Sequence, residues 1–478
     1  MKTYYLTGIG GTGMCGLAQI LVHKGVRVLG SDRGYDNGEN KELFSKLKRI
    51  GIKIFPQDGS GVNSKIDKMI ISRAVEAVNP DIVAGQRFKI PIVYRQDELK
   101  KIFSEKSGIA VAGTSGKTTV VGMVGCVLNN AGKDFTIVDG GIIKNYITKN
   151  DIGNVYLGKN LQICVETDES EGDLNGYCPE VGVITNIGAD HMSYNKLMKV
   201  YEDFAREVKN ILILNIDDSS SSMLLERSTL GKCKKVLYSI SKKADFQAKN
   251  IKLYSTYSLF DVNGVIMRVN APGIHNVSNA LAAVCAGSVY GLSLKKISIG
   301  LECFKGIHRR FDVIGEANDI KIIDDYAHNP DKIKAALKTA RLDNGRIIAV
   351  YQPHGYGPLR MFLKELATVF AENLTKKDFL FVPDVYYAGG TVNKEISSKN
   401  LIEEIRKIQK NSNCEYIADR NDIKDQVKKI AKKGDIILVM GARDATLHDW
   451  AKELGNRVFN VTPNKKNKSI RSTLSSVR

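Results

Sequence analysis

The chain has 478 residues, enough for about three domains of roughly 150 residues each. Its 43% apolar and 26% charged residues are ordinary globular usage, which excludes disorder over most of the length. A net charge of +18 favours anionic partners (phosphorylated small molecules, nucleic acid or an anionic membrane surface), while no apolar run approaches the roughly 20 residues that span a bilayer.

The stretch Met1 to Gly13 lacks the long apolar region and small-residue cleavage site of a secretory signal. The cysteines (Cys15, Cys126, Cys164, Cys178, Cys233, Cys285, Cys303 and Cys414) form no CxxC pair and no metal-site spacing. Scattered thiols of this kind suit a reducing compartment, so a cytoplasmic protein is expected. Short β-rich runs alternate with helical patterns nearly throughout, which predicts an α/β fold of parallel sheets covered by helices.

Residues 1–106 read as a small Rossmann-like block. A strand over Thr3–Gly8 leads through a glycine turn into a helix over Met14–Lys24 and a strand over Val26–Gly30. Further strands are expected at Ile52–Phe55, Lys68–Ser72 and Ile90–Tyr94. Gly8-Ile9-Gly10-Gly11-Thr12-Gly13 satisfies G-x-G-x-x-G between a strand and a helix, where backbone amides and the helix N-terminus can hold a pyrophosphate. Asp32, closing the second strand, is placed to hydrogen-bond a ribose. The turn alone does not choose between NAD and a UDP-sugar.

Residues 107–310 form the second block. A strand over Ile109–Ala112 precedes Gly113-Thr114-Ser115-Gly116-Lys117-Thr118-Thr119, and a helix over Lys117–Asn130 follows. This is a phosphate loop for ATP or GTP: amides cradle phosphates, Lys117 reaches the β/γ oxygens and Thr118 holds Mg²⁺. A standard Walker A would need glycine where Val111 stands. Strands at Gln162–Glu166 and Val181–Asn186 end in Glu166-Thr167-Asp168-Glu169-Ser170 and Asn186-Ile187-Gly188-Ala189-Asp190-His191, and another is expected at Ile211–Asn215. Strand ends beside a phosphate loop face the ligand crevice, so Glu166 suits Mg²⁺ and His191 a functional role. Asp168, Glu169, Glu171 and Asp173 are expected on a solvated loop. A helix over Asn276–Tyr290 shows apolar residues at helical spacing.

Residues 311–464 form a second Rossmann-like block. Strands are expected at Lys321–Asp324, Arg346–Tyr351, Asp378–Val382, Glu415–Ile417, Asp435–Met440 and Arg457–Asn460, with helices between them such as Arg360–Glu372. Residues 465–478 carry five basic and no acidic residues and read as a mobile tail.

Taken in order, these motifs resemble the Mur ligases, the ATP-dependent amide-forming enzymes of peptidoglycan precursor synthesis. The resemblance covers GIGGTGMCG, GTSGKTT, ETDES, TNIGADH, PGIHNVSNALAA at Pro272–Ala283, HRRFD at His308–Asp312, DDYAHNP at Asp324–Pro330, YQPH at Tyr351–His354 and GDIILVMGARD at Gly434–Asp444. It implies that Gly8, Gly10, Gly11, Thr12, Gly13, Asp32 and Ser72 bind UDP-sugar rather than NAD. It implies that the loop Gly113–Thr119, with His275, Asn276, Asn279, Arg310 and Asp325, binds ATP, and that Thr118, Glu166 and His191 surround Mg²⁺. Lys117, His191, Arg310 and His328 would be catalytic, and Tyr326, His328 and Arg360 would meet the incoming amino acid. The implied partners are a UDP-sugar acid and a small amino acid, with no membrane and no specific nucleic acid, in a monomer or weak homodimer.

Three positions depart from the family's alanine-adding pattern. Ser115 stands where histidine is usual, Pro56-Gln57-Asp58 replaces Gly-His after Phe55, and Gly355-Tyr356-Gly357-Pro358-Leu359-Arg360 lacks two closely spaced arginines. Alanine, another small amino acid or a peptide are therefore all open as the added group. A peptide-recycling muramyl ligase and a P-loop NTPase acting on nucleic acid or another polyanion are the alternatives.

Overall fold

Short runs rich in Val, Ile and Leu form the strands, because aliphatic side chains fill sheets that are buried on both faces. Val181–Ile184 and Ile347–Gln352 are buried at every position. The structure, a computed structural model, describes residues 1–169, 174–188, 193–226, 233–387, 394–410 and 412–459. Three α/β domains are built on three largely parallel sheets. The first two lie in one compact unit ending at His308, and the third forms a second unit beginning at Arg309.

In the first domain Thr3–Thr7 (β1), Arg27–Ser31 (β2), Lys53–Phe55 (β3), Lys68–Ile71 (β4) and Ile92–Tyr94 (β5) pair in parallel, in the order β3-β2-β1-β4-β5. Chain direction across the sheet reverses between β1 and β4, which opens a crevice at their carboxyl ends. The glycine turn follows β1 and Ser72 follows β4. The helix Thr12–His23 starts directly after Gly11.

The second domain carries eight strands: Ser107–Ala112 (β6), Thr136–Val138 (β7), Val155–Tyr156 (β8), Gln162–Glu166 (β9), Val181–Ile184 (β10), Ile211–Asn215 (β11), Lys234–Ser239 (β12) and Phe246–Gln247 (β13). Their order is β13-β12-β11-β10-β6-β9-β7-β8, with only the β7–β8 pair antiparallel. The phosphate loop leaves central β6, flanked by the ends of β9 and β10. The helices Lys117–Asn130 and Ile274–Val289 pack on one face over Val120, Val124, Val277 and Leu281. A separate antiparallel sheet, Lys249–Leu253 (β14), Ser258–Val262 (β15) and Val265–Val269 (β16), was not expected from the sequence.

The third domain orders Asp312–Ala317 (β17), Ile320–Asp325 (β18), Ile347–Gln352 (β19), Phe379–Val382 (β20), Asn413–Tyr416 (β21) and Ile436–Gly441 (β22) as β17-β18-β22-β19-β20-β21. β17 is an antiparallel edge strand; the others run parallel. The strand expected at Arg457–Asn460 is instead the last turn of the helix Leu447–Phe459, and Asn460 lies outside the described residues. Trp450, Ala451 and Leu454 recur at helical spacing and bury that helix against the sheet, which carries Val458 and Phe459 along in the same conformation. Residues 465–478 also lie outside the described residues. No helix among the described residues is long and apolar enough to cross a membrane.

Candidate active site

The phosphate loop is shaped by two glycines that no other residue could replace. Gly113 has φ +142° and Gly116 has φ +87°, and a Cβ on either would collide with Thr185 or Asn279. Neighbouring strand ends hold the loop from outside. Thr114 N donates to Asn186 O at 3.0 Å, Ser115 N donates to Asn186 Oδ1 at 2.9 Å, and Thr185 Oγ1 donates to Ser115 O at 2.6 Å. Thr114 Oγ1 accepts from Gly188 N at 2.9 Å. Asn279 abuts Gly116 and donates to Asn276 Oδ1 at 3.1 Å, so the start of the helix Ile274–Val289 meets the loop. His275, the residue before Asn276 in that helix, is exposed.

Lys117 opens the helix that follows. Its Nζ donates to Gly113 O at 2.5 Å and to Glu169 Oε2 at 2.6 Å. Glu169 is buried, and burial pushes its carboxyl above the usual range while Lys117 pulls it back. This corrects the expected solvated loop: Glu169 is the buried counter-ion of the loop lysine, and Asp168 is half-buried in a cleft. The ETDES run signals acidity but not which carboxylate turns inward. Glu171 and Asp173 lie outside the described residues, as does His191.

Glu166 ends β9 and accepts from Gly140 N at 2.8 Å. Gly140-Gly141 lies between this carboxylate and Thr118. A Cβ on Gly140 would fall 2.6 Å from Glu166 Oε2, and one on Gly141 2.6 Å from Thr118 Cγ2. A carboxylate and a hydroxyl are hard oxygen donors that fit Mg²⁺, which completes its octahedron with water and phosphate. No group of three His, Cys, Asp or Glu side chains that could hold a metal ion forms among the described residues, and His191 lies outside them.

Asp32 ties the N-terminal turn together. Its Oδ2 accepts from Gly10 N at 2.8 Å and its Oδ1 from Gly34 N at 2.8 Å. Burial raises its carboxyl above the usual range, against those two amides. A cleft of about 450 Å³ runs past this turn, lined by Gly8, Gly11, Thr12, Gly13, Asp32 and Ser72 at one end and by Asp139, Gly140, Glu166 and Asp168 at the other. Arg95 also lines it, with its guanidinium against Gly13. Sequence reading missed Arg95 and Asp139, because neither stands in a motif.

In the second unit, the expected residues gather at the carboxyl ends of β18 and β19. Asp325, half-buried as a residue, accepts from Phe311 N at 2.8 Å and Ala327 N at 2.7 Å, and burial pushes its carboxyl up to about 6. Arg310 lies 5.2 Å from the centre of the Tyr326 ring. His328 Nδ1 donates to Tyr326 O at 2.8 Å, which leaves Nε2 facing Lys332 Nζ at 3.5 Å. Burial, then Lys332, pushes the His328 ring down to about 3. His354 packs edge-on against it, with centroids 4.9 Å apart. Arg360 is exposed on the helix Tyr356–Asn373, away from the buried side of that helix at Leu359.

Arg309, beside the expected Arg310, is the buried member of the pair. It bridges Asp324 at 3.3 Å and donates to Asp444 O at 3.0 Å and Gly441 O at 2.8 Å. Asp324 also meets His448 Nδ1 at 2.7 Å. This buried network fixes the loop that presents Arg310, and the adjacent arginines in HRRFD were its only trace in the sequence.

The family model for the Mur ligase middle domain matches residues 111–287. Those for the Mur ligase glutamate ligase domain and the Mur ligase catalytic domain match 309–443 and 3–107. The chain is similar to the UDP-N-acetylmuramate–L-alanine ligase of Rickettsia peacockii, 33% identical over 480 residues, covering 96% of this chain and 95% of that one. The enzyme of the same name from Desulforamulus reducens is 32% identical over 458 residues, covering 93% and 95%. Among solved structures, UDP-N-acetylmuramate–alanine ligase from Thermotoga maritima matches with TM-score 0.78 at 25% identity, covering 96% of this chain and 99% of that one. A murein peptide ligase from Psychrobacter arcticus shares the fold with TM-score 0.68 at 22% identity, covering 97% and 100%.

Proposed function

The chain belongs to the Mur ligase family, and we propose that it joins L-alanine to the carboxylate of UDP-N-acetylmuramate while ATP becomes ADP and phosphate. As a Mur ligase it is an ATP-dependent enzyme that forms an amide bond. The observation that carries the choice of acceptor is the single cleft joining the glycine turn to Glu166. A UDP-sugar acid carries its pyrophosphate on one side of the sugar and its carboxylate on the other, which matches the glycine turn at one end of the cleft and Gly140 and Glu166 at the other.

The chemistry follows from these groups. A carboxylate does not accept an amine in neutral water without activation. In this reading its oxygen attacks the γ-phosphorus of ATP, ADP leaves, and an acyl phosphate forms. The amine of alanine then attacks the carbonyl carbon, loses a proton, and the tetrahedral intermediate expels phosphate. Lys117 stabilises the charge on the γ-phosphoryl oxygens once phosphate takes the place of Glu169. Thr118 and Glu166, with His191, would hold Mg²⁺, which supplies further neutralisation of that charge.

Residues 1–106 are assigned to the UDP-sugar, 107–310 to ATP and 311–464 to the amino acid. Asn276, Asn279 and His275 would meet the nucleotide. Arg310, Asp325, Tyr326 and His328 would serve ATP and the amino acid, in a cytoplasmic monomer or weak homodimer. The absence of paired arginines around Gly355 and Pro358 favours a second reading, in which another small amino acid or a peptide is added. Release of ADP from ATP, UDP-N-acetylmuramate and an amino-acid panel decides between them. Alanine as the best substrate supports the first reading, and weak turnover with alanine but efficient turnover with another amine replaces it.

A further inference from the structure

Asn154 stands in no motif, yet it is fully buried and joins the first domain to the second. It immediately precedes β8, where its carbonyl accepts from Asp139 N at 2.9 Å and so extends the β7–β8 ladder. Its side chain leaves the second domain altogether. Asn154 Nδ2 donates to Thr12 O at 2.7 Å and to Cys15 Sγ at 3.2 Å, while Oδ1 accepts from Gln19 Nε2 at 2.9 Å. Gln19 Nε2 also donates to Cys15 O at 3.0 Å. The amide sits so close to the helix Thr12–His23 that a Cβ on Gly16 would fall 3.1 Å from Nδ2.

These contacts link the two ends of the cleft. Thr12 belongs to the glycine turn. Asp139, bonded to the Asn154 backbone, precedes Gly140, whose amide donates to Glu166. A fully buried primary amide is costly unless its donors and acceptor are all used, and here each is used across the domain boundary. Surface contacts such as Arg49 Nη1 to Lys149 O at 2.8 Å also cross this boundary, but they are exposed and can yield to water.

We propose that Asn154, seconded by Gln19, is a positioning residue for phosphoryl transfer: it fixes the spacing between the pyrophosphate-holding turn and the Glu166 end of the cleft. The proposal rests on the functional reading above. If the spacing is set here, loosening it leaves each nucleotide site intact but misplaces the acceptor carboxylate against the γ-phosphorus. A misplacement of about 1 Å costs on the order of a hundredfold in rate.

The test compares Asn154→Leu and the milder Gln19→Met with the full-length wild type, measuring acceptor-dependent ADP release, both KM values and melting temperature. Asn154→Leu is expected to lower kcat by at least about tenfold, and Gln19→Met by about threefold, with KM for ATP within about twofold of wild type. Should Asn154→Leu fail to fold, Gln19→Met carries the test. Variants that melt earlier but keep wild-type kcat overturn the positioning role and leave a structural one. A fall in kcat matched by an equal rise in KM for ATP also overturns it, because the phosphate loop itself is then distorted. A wild type without acceptor-dependent ADP release overturns the functional reading, and this inference with it.

Discussion

Lys117 Nζ lies 2.6 Å from Glu169 Oε2, so the lysine that would grip the γ-phosphate is held by a buried carboxylate of its own chain. Under the proposed function, Lys117 exchanges one anionic partner, Glu169, for another, the phosphate. Glu169→Gln removes the competing charge while keeping the shape, and ATP is expected to bind severalfold more tightly, read by calorimetry. Unchanged affinity would show that the ion pair does not oppose binding. Lys117→Ala is expected to cost at least about 10²-fold in kcat while leaving the fold intact, since one preorganised donor to developing charge is worth about that much. Circular dichroism checks the fold and ADP release checks the rate.

Asp32 spends both carboxylate oxygens on the amides of Gly10 and Gly34. Asp32→Ala therefore loosens the turn itself as well as any ribose contact. Hydrogen bonds to a charged group are worth roughly 1.5–3 kcal/mol, so KM for the UDP-sugar should rise by at least about tenfold. KM for ATP should not move, because Asp32 contacts no part of the phosphate loop. Steady-state kinetics with each substrate varied in turn checks both.

Asp325 gives a pH signature. Its folded-state value of about 6 lies above the ordinary 3.8, chiefly through burial, so the folded protein binds the extra proton between those values. Its contribution to stability is therefore largest below about 4 and is lost as pH rises toward about 6. The melting temperature of the wild type minus that of Asp325→Asn should fall across this window and level off above it. A flat difference would show that the carboxylate is already ionised in the folded state.

His328 is held at about 3 by burial and Lys332, so it stays neutral through the physiological range, with its proton on Nδ1. Its imidazole resonances should not titrate between about pH 5 and 8, the range in which an unperturbed histidine does. Titration near 6.5, followed by NMR, would mean that the ring is solvated and protonatable, and thus unsuited to accept a hydrogen bond at Nε2.

Much of this molecule is legible in its sequence because parallel strands and glycine loops leave strong local marks. The helix Lys117–Asn130 and the strands Gln162–Glu166 and Ile211–Asn215 fall where aliphatic runs and the G-K-T core put them. The misses share a cause. The β15–β16 hairpin turns at Asn263-Gly264, both with positive φ, an Asn-Gly signal masked by the long α/β alternation around it. Val458 and Phe459 favour strand locally, but packing of Trp450 and Leu454 decides for helix. At the site, Glu169 and Arg309 were out of reach because burial depends on the neighbours folding brings, and the sequence shows only adjacent carboxylates and adjacent arginines.

The most direct test of the central claim follows oxygen. UDP-N-acetylmuramate labelled with ¹⁸O in its carboxylate is incubated with ATP, alanine and the enzyme, and the released phosphate is analysed by mass. Activation through an acyl phosphate moves one labelled oxygen into phosphate with each turnover, and only when acceptor and ATP are both present. Product formed with unlabelled phosphate, or phosphate released without the acceptor, would contradict the account.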